Sequence, residues 1–283
     1  MSVEDRTRPG APGRSGSTRE RQGPPGGSIT LAGTTVSRLG LGTMRLTGPG
    51  NWGAPPDPAA AVRLLRTAVG EHGVTHIDTA DAYGPHTVEE LIRRALHPYT
   101  DGLLVATKVG LVRPGPGVYE PLGRPAYLRH AVEASLRRLG CERLPLCYLH
   151  RVDTSVPLAD QLGTLTDLQH EGKIAGIGLS RVSVEEIDQA RGAATIAAVQ
   201  NPMNPAQGHD PALEHCRAVG IPYVAYRPLG KGRLVADGLP SVLGRLLDLG
   251  PHVALIPGTT RPDHLRQLVQ AARTAEPVMS KAG

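Results

Sequence analysis

Apolar residues recur along this chain in two alternating rhythms. Short runs dense in Leu, Val, Ile and Ala stand at 39–43, 74–78, 103–108, 146–150, 174–180, 196–200, 223–226 and 253–257, and each reads as a strand. Between them lie stretches whose apolar residues return every three to four positions. Residues 57–72 carry Ala61, Leu64, Leu65 and Val69 on one stripe, opened by Asp57 and Pro58 as cap and first helical residue. Similar helical patterns cover 87–96, 127–139, 158–170, 184–191, 211–218, 240–249 and 262–272. Ahead of the series, residues 28–40 read as a small β-hairpin turning near Ala32-Gly33.

Eight strand–helix units in unbroken succession predict an α/β protein, a closed (β/α)8 TIM barrel, which commonly needs about 250 residues. A doubly wound open sheet would usually carry a Gly-rich first turn. Leu39-Gly40-Leu41-Gly42-Thr43 lacks the third glycine and the immediate helix of that fingerprint. No linker or second composition regime divides residues 28–283, so they are read as one domain. Residues 1–27 are rich in Gly, Pro, Arg and Ser without hydrophobic periodicity, and are expected to be a disordered tail.

Composition narrows the possibilities. With one Trp, seven Tyr and no Phe, the core must be aliphatic. The formal charge is +5, and five Arg against three acids in residues 1–27 account for two of those charges. What remains is too evenly spread to suggest a nucleic-acid partner. Cys141, Cys147 and Cys216 have neither metal nor disulfide spacing. No apolar stretch approaches the about 18 residues a membrane span needs, and no signal peptide is evident. A cytoplasmic protein is expected, a monomer or weak homo-oligomer with no membrane partner.

Strand ends are where barrel chemistry gathers. Asp78 ends the second strand, Tyr83 lies five residues on in His76-Ile77-Asp78-Thr79-Ala80-Asp81-Ala82-Tyr83-Gly84, Lys108 ends the third strand, and His150 ends the fourth. Singly, each has an ordinary explanation: a loop cap, a rim tyrosine, a structural ion pair, a satisfied polar group. At three neighbouring strand ends they can converge on one proton-handling site. Asp78 would keep Lys108 charged, and Lys108 would lower the Tyr83 pKa from its free value of about 10. His150 would then hold a substrate oxygen while Tyr83 donates the proton.

Those motifs, with LGLGTM at 39–44, ATK at 106–108, LHRVD at 149–153, GKIAGIGLS at 172–180, VQN at 199–201, YRPLG at 226–230 and IPGT at 256–259, give the chain its resemblance to the aldo-keto reductases across about residues 28–272. Gly84-Pro85-His86 and Ala95-Leu96-His97-Pro98-Tyr99 are similar to the bacterial pyridoxal-reductase-like branch. The resemblance implies NADPH-dependent reduction of a small-molecule carbonyl substrate, an aldehyde or small ketone. It makes Tyr83 the acid, Lys108 and Asp78 its tuning pair, and His150 the orienting group. It places the NADP(H) cofactor against Thr43, Met44, Asp78, Ser180, Arg181, Gln200, Tyr226, Pro228, Leu229, Gly230, Lys231, Gly232, Gly258, Thr259, Thr260, Arg261 and His264. Of these, Ser180 and Gln200 would hold the carboxamide, Tyr226 would stack on the nicotinamide, and Arg261 would meet the 2′-phosphate. Trp52, on the loop after the first strand, is either a substrate wall together with Tyr83 and His150 or a packing anchor.

Several positions depart from the family pattern. Arg181 stands where Asn is usual, Met203 replaces an aromatic, and Gln267-Leu268 replace an acid and an amide expected at adenine. The 231–239 segment is short, and the chain ends soon after the last helix, which predicts an open mouth. Because most of these changes touch the cofactor side, two further readings stand beside the reductase. One is a weakly catalytic or non-catalytic nucleotide-binding barrel with a regulatory role; the other is a biosynthetic-pathway enzyme turned to a different reaction.

Overall fold

The computed structural model describes residues 23–275 apart from 235 and 237. The expected tail therefore lies outside the described residues as far as residue 22. Its last residues differ from expectation. Gly27 donates its N–H to the Pro24 carbonyl, Leu39 donates to Pro25, and Pro25 is buried. The hairpin follows as β1 (Ser28–Leu31) and β2 (Thr34–Ser37). Its two-residue turn puts Ala32 at φ 47° and Gly33 at φ 80°, the paired left-handed conformation whose twist matches the strands.

Eight parallel strands come next: β3 (Leu41–Gly42), β4 (His76–Asp78), β5 (Leu104–Val109), then, after a small antiparallel pair β6 (Leu111–Val112) and β7 (Glu120–Pro121), β8 (Leu144–Leu149), β9 (Ile174–Ser180), β10 (Ile196–Pro202), β11 (Tyr223–Tyr226) and β12 (Val253–Ile256). A bridge from Leu39 to Leu255 closes β12 onto β3, so the sheet is a barrel. Helices α1 (Pro58–Gly70), α2 (Thr87–Leu96), α3 (Pro125–Leu139), α4 (Leu158–His170), α5 (Val184–Arg191), α6 (Pro211–Val219), α7 (Leu239–Leu247) and α8 (Pro262–Thr274) follow the strands in turn. No helix among the described residues is long and apolar enough to cross a membrane.

The expected elements are all present, with two differences worth naming. The first strand shrinks to two residues plus the closing bridge, because the backbone at Leu39–Gly40 crosses to β12. The β6–β7 pair is an addition: two-residue strands around a Gly/Pro-rich loop leave no periodicity to read.

Strand alternation decides which side chains reach the barrel interior. In β5, Val105 and Val109 pack outward against helices, while Leu104 and Ala106 point inward and Lys108 continues that inner row. In β8, Cys147 and Leu149 face out, Leu146 and Tyr148 face in, and His150 is the next inward position. Ile77 faces out, which turns His76 and Asp78 inward. At the opposite end of the barrel, Ile29, Leu31 and Val36 of the hairpin join the inner cluster and plug it. Only the end where the strands terminate is left open for chemistry.

Candidate active site

Lys108, 1% exposed, is the hub of the site. Its Nζ donates to Asp78 Oδ1 at 2.6 Å, to the Thr79 carbonyl at 2.8 Å and to the Tyr83 hydroxyl at 3.4 Å. The other Asp78 oxygen accepts from Gln200 Nε2 at 2.7 Å, so both carboxylate oxygens are engaged. Tyr83 reaches the group because its loop is tied down: Asp81 donates its N–H to the Lys108 carbonyl, and Gly84 at φ 80° turns the chain into α2. The His150 ring stands edge-on to Tyr83 with centroids 6.0 Å apart, completing the tetrad read from the strand ends.

Burial governs the protonation states. It is the strongest influence on Lys108 and opposes its charge, yet Asp78 and Tyr83 together hold the ammonium pKa above its ordinary value. Tyr83 departs from expectation. Burial raises its pKa by more than Lys108 lowers it, so the phenol stays protonated. Burial, aided by the charges of Lys108, Arg151 and Arg113, pushes His150 well below the usual imidazole range, so it is neutral at pH 7. His76, one inward position beneath Asp78, is fully buried with neither ring nitrogen bonded, and burial brings it down to about 4.

Above the tetrad opens a cavity of about 810 Å³. Of the residues expected at the cofactor, Thr43, Met44, Asp78, Ser180, Arg181, Gln200, Tyr226, Pro228, Leu229, Lys231, Gly232, Gly258, Thr259, Thr260, Arg261 and His264 line it. Gly230 does not. It lies in the 3-10 turn Gly230–Gly232, where an added Cβ would meet Leu234 rather than the wall. Trp52 is also absent from the wall. Arg113 holds the loop by donating to the carbonyls of Gly50, Asn51, Ala82 and Val118, with its guanidinium 5.7 Å from the Trp52 ring and 3.9 Å from Tyr119. The contacts of Trp52 are those of a packing anchor. Asn51 and Tyr119, joined by a 2.6 Å hydrogen bond, form that wall with Leu111 and Pro121.

Arg45, Arg151 and Arg227 also line the cavity and add to the set expected from the sequence, although the last two directly follow the strand-end residues His150 and Tyr226. Among the described residues Asp78 is the single acid on the wall, and it is committed to Lys108 and Gln200. The first turn of α8 opens beside the cavity at Arg261, which makes no side-chain cap, so backbone donors and the helix dipole remain available to an anion. Cations, helix terminus and volume fit a phosphate-bearing dinucleotide. Two departures resolve as packing: Met203 is buried, and Leu268 belongs to the core face of α8 while Gln267 is exposed.

Comparison with known proteins identifies the family. Residues 38–240 match the model of the Aldo/keto reductase family. An uncharacterized oxidoreductase of Schizosaccharomyces pombe is 38% identical over 261 residues, covering 87% of this chain and 85% of that protein. The pyridoxine 4-dehydrogenase of Escherichia coli is 37% identical over 266 residues, covering 87% and 93%. A solved aldo-keto reductase from Klebsiella pneumoniae, in complex with NADPH, superposes with a TM-score of 0.68 at 25% identity, covering 87% and 89%. With the family model spanning most of the barrel and oxidoreductase relatives at this level of identity, the chain belongs to the aldo/keto reductase family and is an oxidoreductase.

Proposed function

We propose that this enzyme reduces an aldehyde or small ketone to the alcohol, with Tyr83 as proton donor. The observation that carries the reading is the buried Lys108, which bridges Asp78 and the Tyr83 hydroxyl beneath an open cavity. Burial keeps the phenol protonated and therefore able to give up its proton. As the proton leaves, the ammonium 3.4 Å away stabilises the growing phenolate charge. Asp78, fixed by Gln200, holds that ammonium in place. His150 is neutral and faces the same cavity, where it can fix the carbonyl oxygen without competing as an acid. NADP(H) is the cofactor, and when bound it supplies the hydride. Arg261 with Arg45 and His264 would hold its 2′-phosphate, Arg227 and Lys231 its pyrophosphate, and Ser180 and Tyr226 its nicotinamide.

The name of the Escherichia coli relative directs the substrate reading toward heteroaromatic aldehydes of the pyridoxal type. Following NADPH oxidation with a panel of aldehydes tests it. Turnover is expected in the wild type and should fall by about a hundredfold or more in Tyr83→Phe. Undiminished turnover in that variant rules out Tyr83 as the acid.

A further inference from the structure

Six non-glycine residues among those described have left-handed backbone, and three of them, Arg181 (φ 56°), Arg227 (φ 56°) and Lys231 (φ 63°), are cations lining the cavity. This conformation crowds the Cβ of any residue but glycine, and such strain persists where the surroundings or a function demand it. Arg227 and Lys231 have an employment in the reading above, at the pyrophosphate. Arg181 does not. Its N–H donates to the Gln200 carbonyl of β10, and it lines the cavity directly after Ser180. Arg151, immediately after His150, is at the same end. It is half-buried and bonded to the His150 carbonyl, and neither it nor Arg181 pairs with a carboxylate among the described residues. The two guanidinium charges are near enough to act on one another: burial lowers the Arg151 pKa, and Arg181 adds to that effect.

Arg181 is exposed and Arg151 half-buried, and both line the cavity, so both guanidiniums are open to an anion that enters it. Phosphates account for the cations at the far end of the cavity. The wall carboxylate of Asp78 is spent on Lys108. At the catalytic end, Arg151 and Arg181 have no carboxylate partner among the described residues. We infer that Arg151 and Arg181 recognise the substrate itself, and that the preferred carbonyl compound carries a carboxylate or phosphate group. The aliphatic and aromatic wall opposite, with Leu111 and Tyr119, would seat the uncharged part of that molecule. This substrate class rests on the reductase reading. A guanidinium fork meets either anion with paired hydrogen bonds, so carboxylate and phosphate share one chemistry here.

Matched substrates test the inference on the NADPH-loaded enzyme: benzaldehyde against 4-carboxybenzaldehyde, and pyridoxal against pyridoxal 5′-phosphate. The anionic member of at least one pair should have a kcat/KM about tenfold or more higher, and the pair that shows it identifies the anion. Arg181→Asn and Arg151→Lys should each collapse that ratio, mainly through KM for the anionic substrate. Asn tolerates left-handed backbone, so Arg181→Asn should melt at or above the wild-type temperature, and a lost preference is then not a lost fold. Ratios near one in the wild type, or ratios untouched by both variants, overturn the inference even if every aldehyde is reduced. If no aldehyde is reduced, the reductase reading fails, and calorimetry of the NADP-loaded protein decides this one. Benzoate or phenyl phosphate binding that is weakened in Arg181→Asn, with benzyl alcohol binding unchanged, upholds it. Equal binding of acid and alcohol overturns it.

Discussion

Replacing Lys108 with Met keeps roughly the same side-chain length and removes the ammonium, and the structure says what this should cost. Asp78 is 2% exposed and would keep only Gln200 as a partner, because Oδ1 loses its 2.6 Å bond. The Thr79 carbonyl also loses its 2.8 Å donor inside the barrel. Breaking one side of a buried pair costs about 3–5 kcal/mol, mostly from the uncompensated charge left behind. Lys108→Met should therefore lower the unfolding free energy by about 4 kcal/mol, measured by urea denaturation of the purified protein. Adding Asp78→Asn removes the stranded charge, so the double variant should recover to within about 1–2 kcal/mol of the wild type. Activity should not recover with it. The phenolate forming at Tyr83 has no ammonium in either variant, and a loss of about 3 kcal/mol in transition-state stabilisation is about a hundredfold in kcat/KM. A single variant within about 1 kcal/mol of wild type, or a double variant as unstable as the single, would falsify the reading of Lys108 as the charged partner of a buried carboxylate.

Three other outcomes follow from the same geometry. His76 has a folded pKa of about 4 against the unfolded 6.5, so the unfolded state takes up protons first as pH falls. Its share of stability is full above pH 6.5 and shrinks by about 2 kcal/mol by pH 5; urea midpoints across that window should flatten in His76→Leu relative to wild type, and parallel slopes would contradict the assignment. Gly178→Ala should destabilise by about 1–3 kcal/mol, because its Cβ would stand 2.3 Å from the Tyr148 ring inside the barrel; an unchanged thermal midpoint would mean that the interior can yield. Arg113→Ala frees the carbonyls of Gly50, Asn51, Ala82 and Val118, so limited proteolysis should cut the mouth loops faster and substrate KM should rise while NADPH affinity holds.

Much of the tetrad is legible in the amino-acid sequence, because its placement follows from two local rules. Strand alternation puts Asp78, Lys108 and His150 on inward positions at strand ends, and barrel closure makes neighbouring ends converge. Tyr83 needs a turn as well, supplied by Gly84. What alternation cannot report is the balance of fields at a point. The ammonium beside Tyr83 suggests a lowered phenol pKa, whereas complete burial outweighs it, and burial is a property of the assembled barrel rather than of the motif. Trp52 illustrates the same gap. Its loop position suits a wall, but an arginine 61 residues further on, Arg113, draws the ring into a packing stack.

The cationic mouth is hidden for a different reason. Arg151 and Arg227 are visible as letters next to strand ends, and Arg181 as a departure from the usual residue, yet nothing in a letter states its φ. In a left-handed conformation the chain direction at a strand end changes, and with it the direction of the side chain, so an arginine that reads as solvated can line a cavity. An Asn at position 181 would adopt this backbone at less cost. The arginine here is consistent with recognition of an anion that the rest of the site does not supply, and Arg181→Asn separates backbone cost from ligand recognition. Greater stability with undiminished preference for anionic aldehydes would show the residue to be merely tolerated; greater stability with lost preference would show that the strain is the cost of selectivity.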